Sequence, residues 1–216
     1  MALYEYNRPL YRKVIKHKVF ISYHHDNDQY YKDVLVAMNE RYSLFVDHSV
    51  DTGDVSDALS DERIREIIRD QYLRDSTVTI VLVGTETKKR KHVDWEIYSS
   101  MYDGTVNKRS GILVINLPGI NGFYIWTSHA GEKKQLYPDI SNWTSFSSRL
   151  QFESHFPDMP ERIIDNLAAK DVRISVVNWN RIENDPSALE FLINATYNDR
   201  EGCKYNLSMR MKRDNR

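Results

Sequence analysis

Residues 77–84, TVTIVLVG, decide the fold. The run is too short for a helix of ordinary length, is dominated by β-branched residues and shows no apolar-polar alternation. It therefore reads as a strand covered on both faces, the habit of parallel sheets. Working outward, KVFISY at 18–23, GILVINL at 111–117 and VRISVVNW at 172–179 have the same character, and YSLFV at 42–46 supplies a further strand. The intervening segments carry helical spacing. DNDQYYKDVLVAMNERY (26–42) places Tyr31, Val34, Leu35 and Met38 on one face behind the capping candidates Asp26 and Asn27. Ser60 opens a charged helix through about Leu73 with Ile64, Ile67 and Ile68 on its apolar face. VDWEIYSSMY (93–102) is a short helix, and PSALEFLINATY (186–197) is another. This alternation predicts an α/β protein with an open, doubly wound, five-stranded parallel sheet and helices on both faces, whose ligand crevice lies outside the C-terminal ends of the strands.

The remaining segments set the expected boundaries. Residues 1–16 form an amphipathic, Tyr-rich arm, 17–200 one domain, and 201–216 a basic tail expected to be flexible and solvated. Within the domain, DHSVDTGDVSD (47–57) is a polar loop with turn residues Asp51, Gly53 and Asp54. Residues 118–160 are too long and polar for an ordinary connection and read as a surface excursion or lid. At 216 residues with 41% apolar and 28% charged composition, the chain can bury its own core without a metal or disulfide. Thirty basic residues against 31 acidic ones leave no global field for nucleic acid or an anionic membrane. The lone cysteine, Cys203, the absence of a signal-like leader and of any run of about 18 apolar residues make a cytoplasmic location the expectation.

Three segments converge on the expected crevice: Ser22, Tyr23, His24 and His25 after the first strand, Asp47 and His48 after the second, and Trp95 with Glu96. Their aromatic rings suit a heteroaromatic ligand. No competing apparatus stands out. Neither G-x-x-x-x-G-K-[ST] nor G-x-G-x-x-G is present, Ser22 lacks a glycine-flanked elbow, and His24, His25, Asp26 and Asp28 cluster without metal-ligand spacing, so no metal is expected. Asp94 and Glu96 lie two apart on a helix and so face nearly opposite ways, which leaves a single carboxylate to act alone. The basic run Lys88 to Lys91 suits either a solvated loop or attraction of a pyrophosphate.

KVFISYHHDND (18–28), YSLFVDHSVDTG (42–53), TVTIVLVGTET (77–87) and VDWEIYSS (93–100), in this order and spacing, resemble a TIR domain. LYPDISNW, PERIIDNL and VVNWNRIENDPSALEFLINATY resemble the bacterial TIR-like family that includes the TIR component of Thoeris anti-phage defence. The resemblance implies a flavodoxin-like fold and cleavage of the nicotinamide glycosidic bond of NAD+, with NAD+ as substrate and no separate cofactor. It assigns Glu96 as the catalytic residue, Tyr23 and His24 to the border of the dinucleotide, Asp47 to the root of the BB loop and Trp95 to the binding site. Nicotinamide is a cationic leaving group that needs no general acid, so one anion beside an oxocarbenium-like ribose suits the chemistry. The same resemblance implies a cyclic ADP-ribose isomer as a diffusible signal to a separate effector protein. It also allows TIR self-association, and a non-catalytic scaffold or nucleotide sensor is the alternative.

Overall fold

A computed structural model of the chain describes residues 16–48, 56, 58–121 and 124–215. Five strands, β1 (Lys18–Ser22), β2 (Val46–Asp47), β3 (Val78–Val83), β4 (Gly111–Asn116) and β5 (Ser175–Asn178), form one sheet in the order β2-β1-β3-β4-β5. Every pairing between these strands is parallel. The order reverses between β1 and β3, and this switch point is where such sheets open a crevice.

Helices cover both faces. On one, α1 (His25–Tyr42), α7 (Trp179–Ile182) and α8 (Pro186–Asp199) bury Leu35, Met38, Trp179, Leu189 and Leu192 against Val19, Ile21, Ile80, Leu82 and Ile115. On the other, α2 (Asp61–Ile67), α3 (Lys91–Met101) and α6 (Glu161–Leu167) pack on Phe20, Val81, Val83, Ile112 and Val114. All six residues of β3 and of β4 are buried, which explains why these strands carry no polar alternation. No helix among the described residues is long and apolar enough to cross a membrane.

Several local expectations shift. The first helix begins at His25, because its first amides bond to the His24 carbonyl while Asp26 and Asp28 occupy the first turn without serving as the cap. It runs to Tyr42 and ends on Ser43 in the left-handed region, φ 54°; Asn39 Oδ1 then takes the Phe45 amide. Strand pairing is thereby pushed past YSLFV to Val46–Asp47, although Leu44 and Phe45 still reach the core. Ser60 caps α2 through the Arg63 amide, as its sequence suggests, but the helix gives way to a π-helical turn at Ile68–Tyr72. The turn residues Asp51, Gly53 and Asp54 and the arm before Lys16 lie outside the described residues.

The excursion 118–160 is largely ordered. It carries α4 (Glu132–Leu136) and α5 (Arg149–His155), bonds across β5 through a Trp126–Val176 bridge, and packs Trp126, Phe146, Phe152 and Phe156 into one aromatic cluster. It bridges to β5 and also buries Phe152, Phe156 and Met159 in the core cluster of β3, β4 and α3, and Lys88 Nζ, bonded to the Pro157 carbonyl at 3.2 Å, marks where it meets the loop before α3.

The tail is docked along the domain, although most of its side chains stay exposed. Residues 203–215 form a strap whose backbone is bound by side chains that composition does not reveal. Arg162 Nη1 and Nη2 donate to the Met209 and Arg210 carbonyls, Trp95 Nε1 to the Lys212 carbonyl at 2.7 Å, and the Lys212 amide to Asp94 Oδ2. Arg213 reaches Asp61 and the Leu59 carbonyl, Met211 is buried beside Trp95, and Asn215 Oδ1 accepts the Lys91 amide at the start of α3. The strap therefore staples α2, α3 and α6.

At its centre Arg162 meets Asp94 through two parallel bonds of 2.9 and 3.0 Å, with Arg162 0% and Asp94 3% exposed. Removing one partner strands a buried charge. Arg162→Leu should lower unfolding free energy in urea by about 3–5 kcal/mol, while Asp94→Leu combined with Arg162→Leu should cost less than the single change. Equal costs for single and double variants would show that the strap contacts, and not the ion pair, carry the stability.

Candidate functional site

Glu96 lies on the face of α3 that meets the sheet. Val93 and Ile97 beside it join the core with Val81 and Val83, and Ser100, one turn on, bonds Thr79 at 2.8 Å. This orientation aims Glu96 at Ser22, the last residue of β1, whose hydroxyl donates to Glu96 Oε2 at 2.6 Å. Ser22 is fully buried and Glu96 is 2% exposed. Two residues 74 apart thus fix a carboxylate at the C-terminal end of β1, beside the switch point.

On the other side of the switch point, the first turn of α1 leans onto the loop after β3. Asp28 is buried, its Oδ2 accepts from Thr87 Oγ1 at 3.3 Å, and Thr87 Oγ1 in turn accepts the Gly84 amide at 2.9 Å. A β-carbon on Gly84 would stand 2.5 Å from Asp28 Oδ1, so this close approach requires glycine. Burial raises the Asp28 carboxyl above the usual range, opposed by its Thr87 bond and by His24.

His24 is buried at the same place, with Nε2 3.6 Å from Asp26 Oδ2 and Nδ1 without a partner among the described residues. Burial, then the Arg90 charge, hold its pKa below the ordinary 6.5 against the pull of Asp28, Asp26 and Glu86. Arg90 precedes α3 without capping it, lies 3.9 Å from Glu86, and has a buried Nε with no partner. Of the basic run, Lys89 also pairs with Glu86, at 3.0 Å, and Lys88 binds the excursion.

The other expected site residues are not gathered around Glu96. Trp95 is 0% exposed, packed with Phe20, Ile64 and Met211 under the strap; a neighbouring helix residue points about 100° away, so it has no ring face to offer a ligand. The structure thus places Trp95 beneath the strap, apart from the Ser22–Glu96 pair. Tyr23 belongs to the core, its hydroxyl bonds Gln29 at 2.7 Å, and one ring face stacks on exposed His25 at 4.4 Å. Asp47 is exposed on edge strand β2, level with Val19 and so three residues, about 10 Å, short of Ser22. Sequence reasoning missed the Asp28–Thr87–Gly84 junction and Arg162, whereas Arg90 lies in the basic run weighed for pyrophosphate attraction. Gly84 ending an apolar strand was the one visible signal among them. Among the described residues no group of three or more His, Cys, Asp or Glu side chains is arranged to hold a metal ion.

A five-stranded parallel sheet ordered β2-β1-β3-β4-β5, with a helix-borne glutamate at its switch point, defines a TIR-like α/β domain of flavodoxin-like topology. The family model described as "Thoeris protein ThsB, TIR-like domain" matches residues 20–121, from within β1 through β4, a segment that holds Ser22, Asp28, Gly84, Thr87, Arg90 and Glu96 but not β5. Over these residues the chain is similar to a TIR-like domain of the Thoeris kind, a likeness that points to a role in anti-phage defence. None of the curated proteins matches it.

Two expectations follow. Gly84→Ala should destabilise the fold by about 1–3 kcal/mol in urea titration, the usual cost of overpacking, whereas an unchanged midpoint would mean that Asp28 moves freely. Because the folded state holds His24 below its unfolded pKa, the stability tied to its neutral ring is complete above about pH 6.5 and is lost as pH falls from there toward the folded value. Its imidazole should titrate by NMR with a midpoint under 6.5, and His24→Gln should shrink the stability lost between about pH 7.5 and 5.5.

Proposed function

We propose that this protein cleaves the nicotinamide glycosidic bond of NAD+, with Glu96 as the catalytic carboxylate and a cyclic ADP-ribose isomer as the product that signals to a separate effector protein. The observation that carries the reading is the Ser22–Glu96 hydrogen bond at the switch point of a TIR-like sheet. A charged leaving group needs no proton donor, so the barrier lies mainly in the positive charge that develops on the ribose. A carboxylate largely removed from water acts on that charge through a lower dielectric than an exposed one does. Ser22 is a positioning residue in this scheme, since its hydroxyl fixes the Glu96 rotamer. His24 and Arg90, each with a buried ring or guanidinium nitrogen lacking a partner, are suited to the anionic part of the dinucleotide. Attack by a group of the same molecule closes the cyclic product, and exclusion of water favours that outcome over hydrolysis. The excursion 118–160 is the candidate lid.

Release of nicotinamide from NAD+ by the purified protein, or by lysates of phage-challenged cells that carry it, tests the reading. Glu96→Gln should fold normally and lose at least about 10²-fold in turnover, the scale of one electrostatic contributor. Ser22→Ala should lower kcat by roughly tenfold with KM little changed, as expected when a bond to a charged group is lost. Equal turnover by wild type and folded Glu96→Gln would remove Glu96 from the mechanism. A filtrate of small molecules from challenged cells that fails to activate the effector, while the retained protein succeeds, would replace the messenger with direct contact.

A further inference from the structure

A second polar site lies at the opposite end of the sheet. Arg69, in the π-helical turn after α2, is 2% exposed, yet it forms no ion pair among the described residues. Its Nη1 donates to Ser110 Oγ over a long 3.4 Å, and its Nε has no partner. The Ser110 hydroxyl itself donates to the Ser76 carbonyl at 2.9 Å, so it can only accept from the guanidinium. Ser76 and Ser110 lie two residues and one residue before β3 and β4, which puts the group below the N-terminal ends of strands whose C-terminal ends border the crevice.

Arg69 lines a cavity of about 290 Å³ together with Arg65, Tyr102, Asp103 and Asn107. The Arg65 guanidinium lies 4.0 Å over the Tyr102 ring, which holds a second cation at the wall. Acidic residues also line the cavity: Glu66 and Asp103 are ion-paired, whereas Asp70 is bonded to a neutral amide and keeps its charge beside Arg69. Glu66 pairs with Arg63 at 3.2 Å and Arg65 at 3.8 Å, Asp103 with Arg109 at 2.6 Å, and Asp70 accepts from Asn107 Nδ2 at 2.6 Å. Burial lowers the Arg69 pKa to about 10, with Asp70, Asp103 and Asp75 opposing, and the group therefore remains charged at neutral pH. A buried cation with several unmade hydrogen bonds is costly unless something answers both its charge and its donors. Water answers the donors alone.

We propose that this cavity binds a small oxyanion of the phosphate class, held by the planar fork of Arg69 in two parallel bonds with Arg65 closing one side. The fork geometry matches tetrahedral oxyanions, and the volume accommodates a phosphorylated small molecule as well as free phosphate. The site is separate from the Glu96 crevice and holds whether or not NAD+ is cleaved there.

Inorganic phosphate, titrated at ionic strength fixed with chloride, is the probe. The wild type should broaden the ³¹P resonance saturably, and at about a hundredfold excess over Kd its Tm should rise by roughly 5–10 °C. Arg69→Met, which replaces the buried charge by an apolar side chain of similar length, should melt higher than wild type in chloride and show no phosphate response. Arg65→Ala, at the wall, should weaken the response severalfold and serves if Arg69→Met fails to fold. Arg90→Ala, at the crevice, should leave it intact. No saturable response from the wild type, or a response that survives loss of Arg69 and disappears with Arg90, would overturn the proposal.

Discussion

Two carboxylates stand two residues apart on α3, and the buried pairing of one of them with Arg162 is what the rest of the structure depends on. Asp94 points away from the sheet and is neutralised by a bidentate guanidinium that also grips the backbone of the strap through two carbonyls. A lone buried arginine or aspartate would be a large liability, but together, with four of the five guanidinium N–H groups bonded, they weld α6 to α3. The weld gives the strap a fixed path, and the strap then covers Trp95, buries Met211 and takes the first amide of α3 with Asn215. Helix α3 is thus held from its outer side and its start, so the residue on its inner side, Glu96, meets Ser22 in one register.

Much of the fold was legible because its physics is local. Uninterrupted apolar runs mark parallel strands covered on both faces, and the spacing of Leu35, Met38, Leu189 and Leu192 marks the helices that cover them. The deviations have equally local causes. One left-handed residue, Ser43, and one side chain, Asn39, delay β2 past the segment whose composition looks most strand-like. The strap was illegible for a different reason. KRDNR reads as solvated because its side chains are polar, yet it docks through the Lys212 backbone and through the Arg213 and Asn215 side chains, beside the buried Met211. Composition says nothing about carbonyls.

The candidate site was legible at the level of segments and less so at the level of side chains. The end of β1 and the face of α3 meet at Ser22 and Glu96, whereas Asp47 after β2 stays at the sheet edge and the loop after β3, not among the expected segments, lies at the switch point instead. Which neighbour of a chosen residue points inward is settled by about 100° of helix rotation, and that rotation separates Glu96 at the sheet from Trp95 in the core and Asp94 at the strap. Tyr23, adjacent to Ser22 on a strand, is turned to the opposite face for the corresponding reason. A hydrogen bond between residues 74 positions apart has no signature in either segment alone.

The burial of Glu96 bears on how such a site could be kept quiet and yet ready. A carboxylate 2% exposed and bonded to a serine has its orientation set before any ligand arrives, so little rotamer freedom is lost when it meets a developing cation. The same burial limits approach, and a ligand must open the surface between β1, the start of α1 and the loop at Gly84. That surface is built from Asp28 and Thr87, short side chains joined at 3.3 Å and tied to the Gly84 amide at 2.9 Å, with the buried His24 ring beside them. Opening it means moving α1 relative to α3, and α3 is the helix most heavily anchored by the strap. Among the described residues the strap does not reach the α1 side of the crevice, where His25, Asp26 and Asn27 are exposed and the first turn has no side-chain cap.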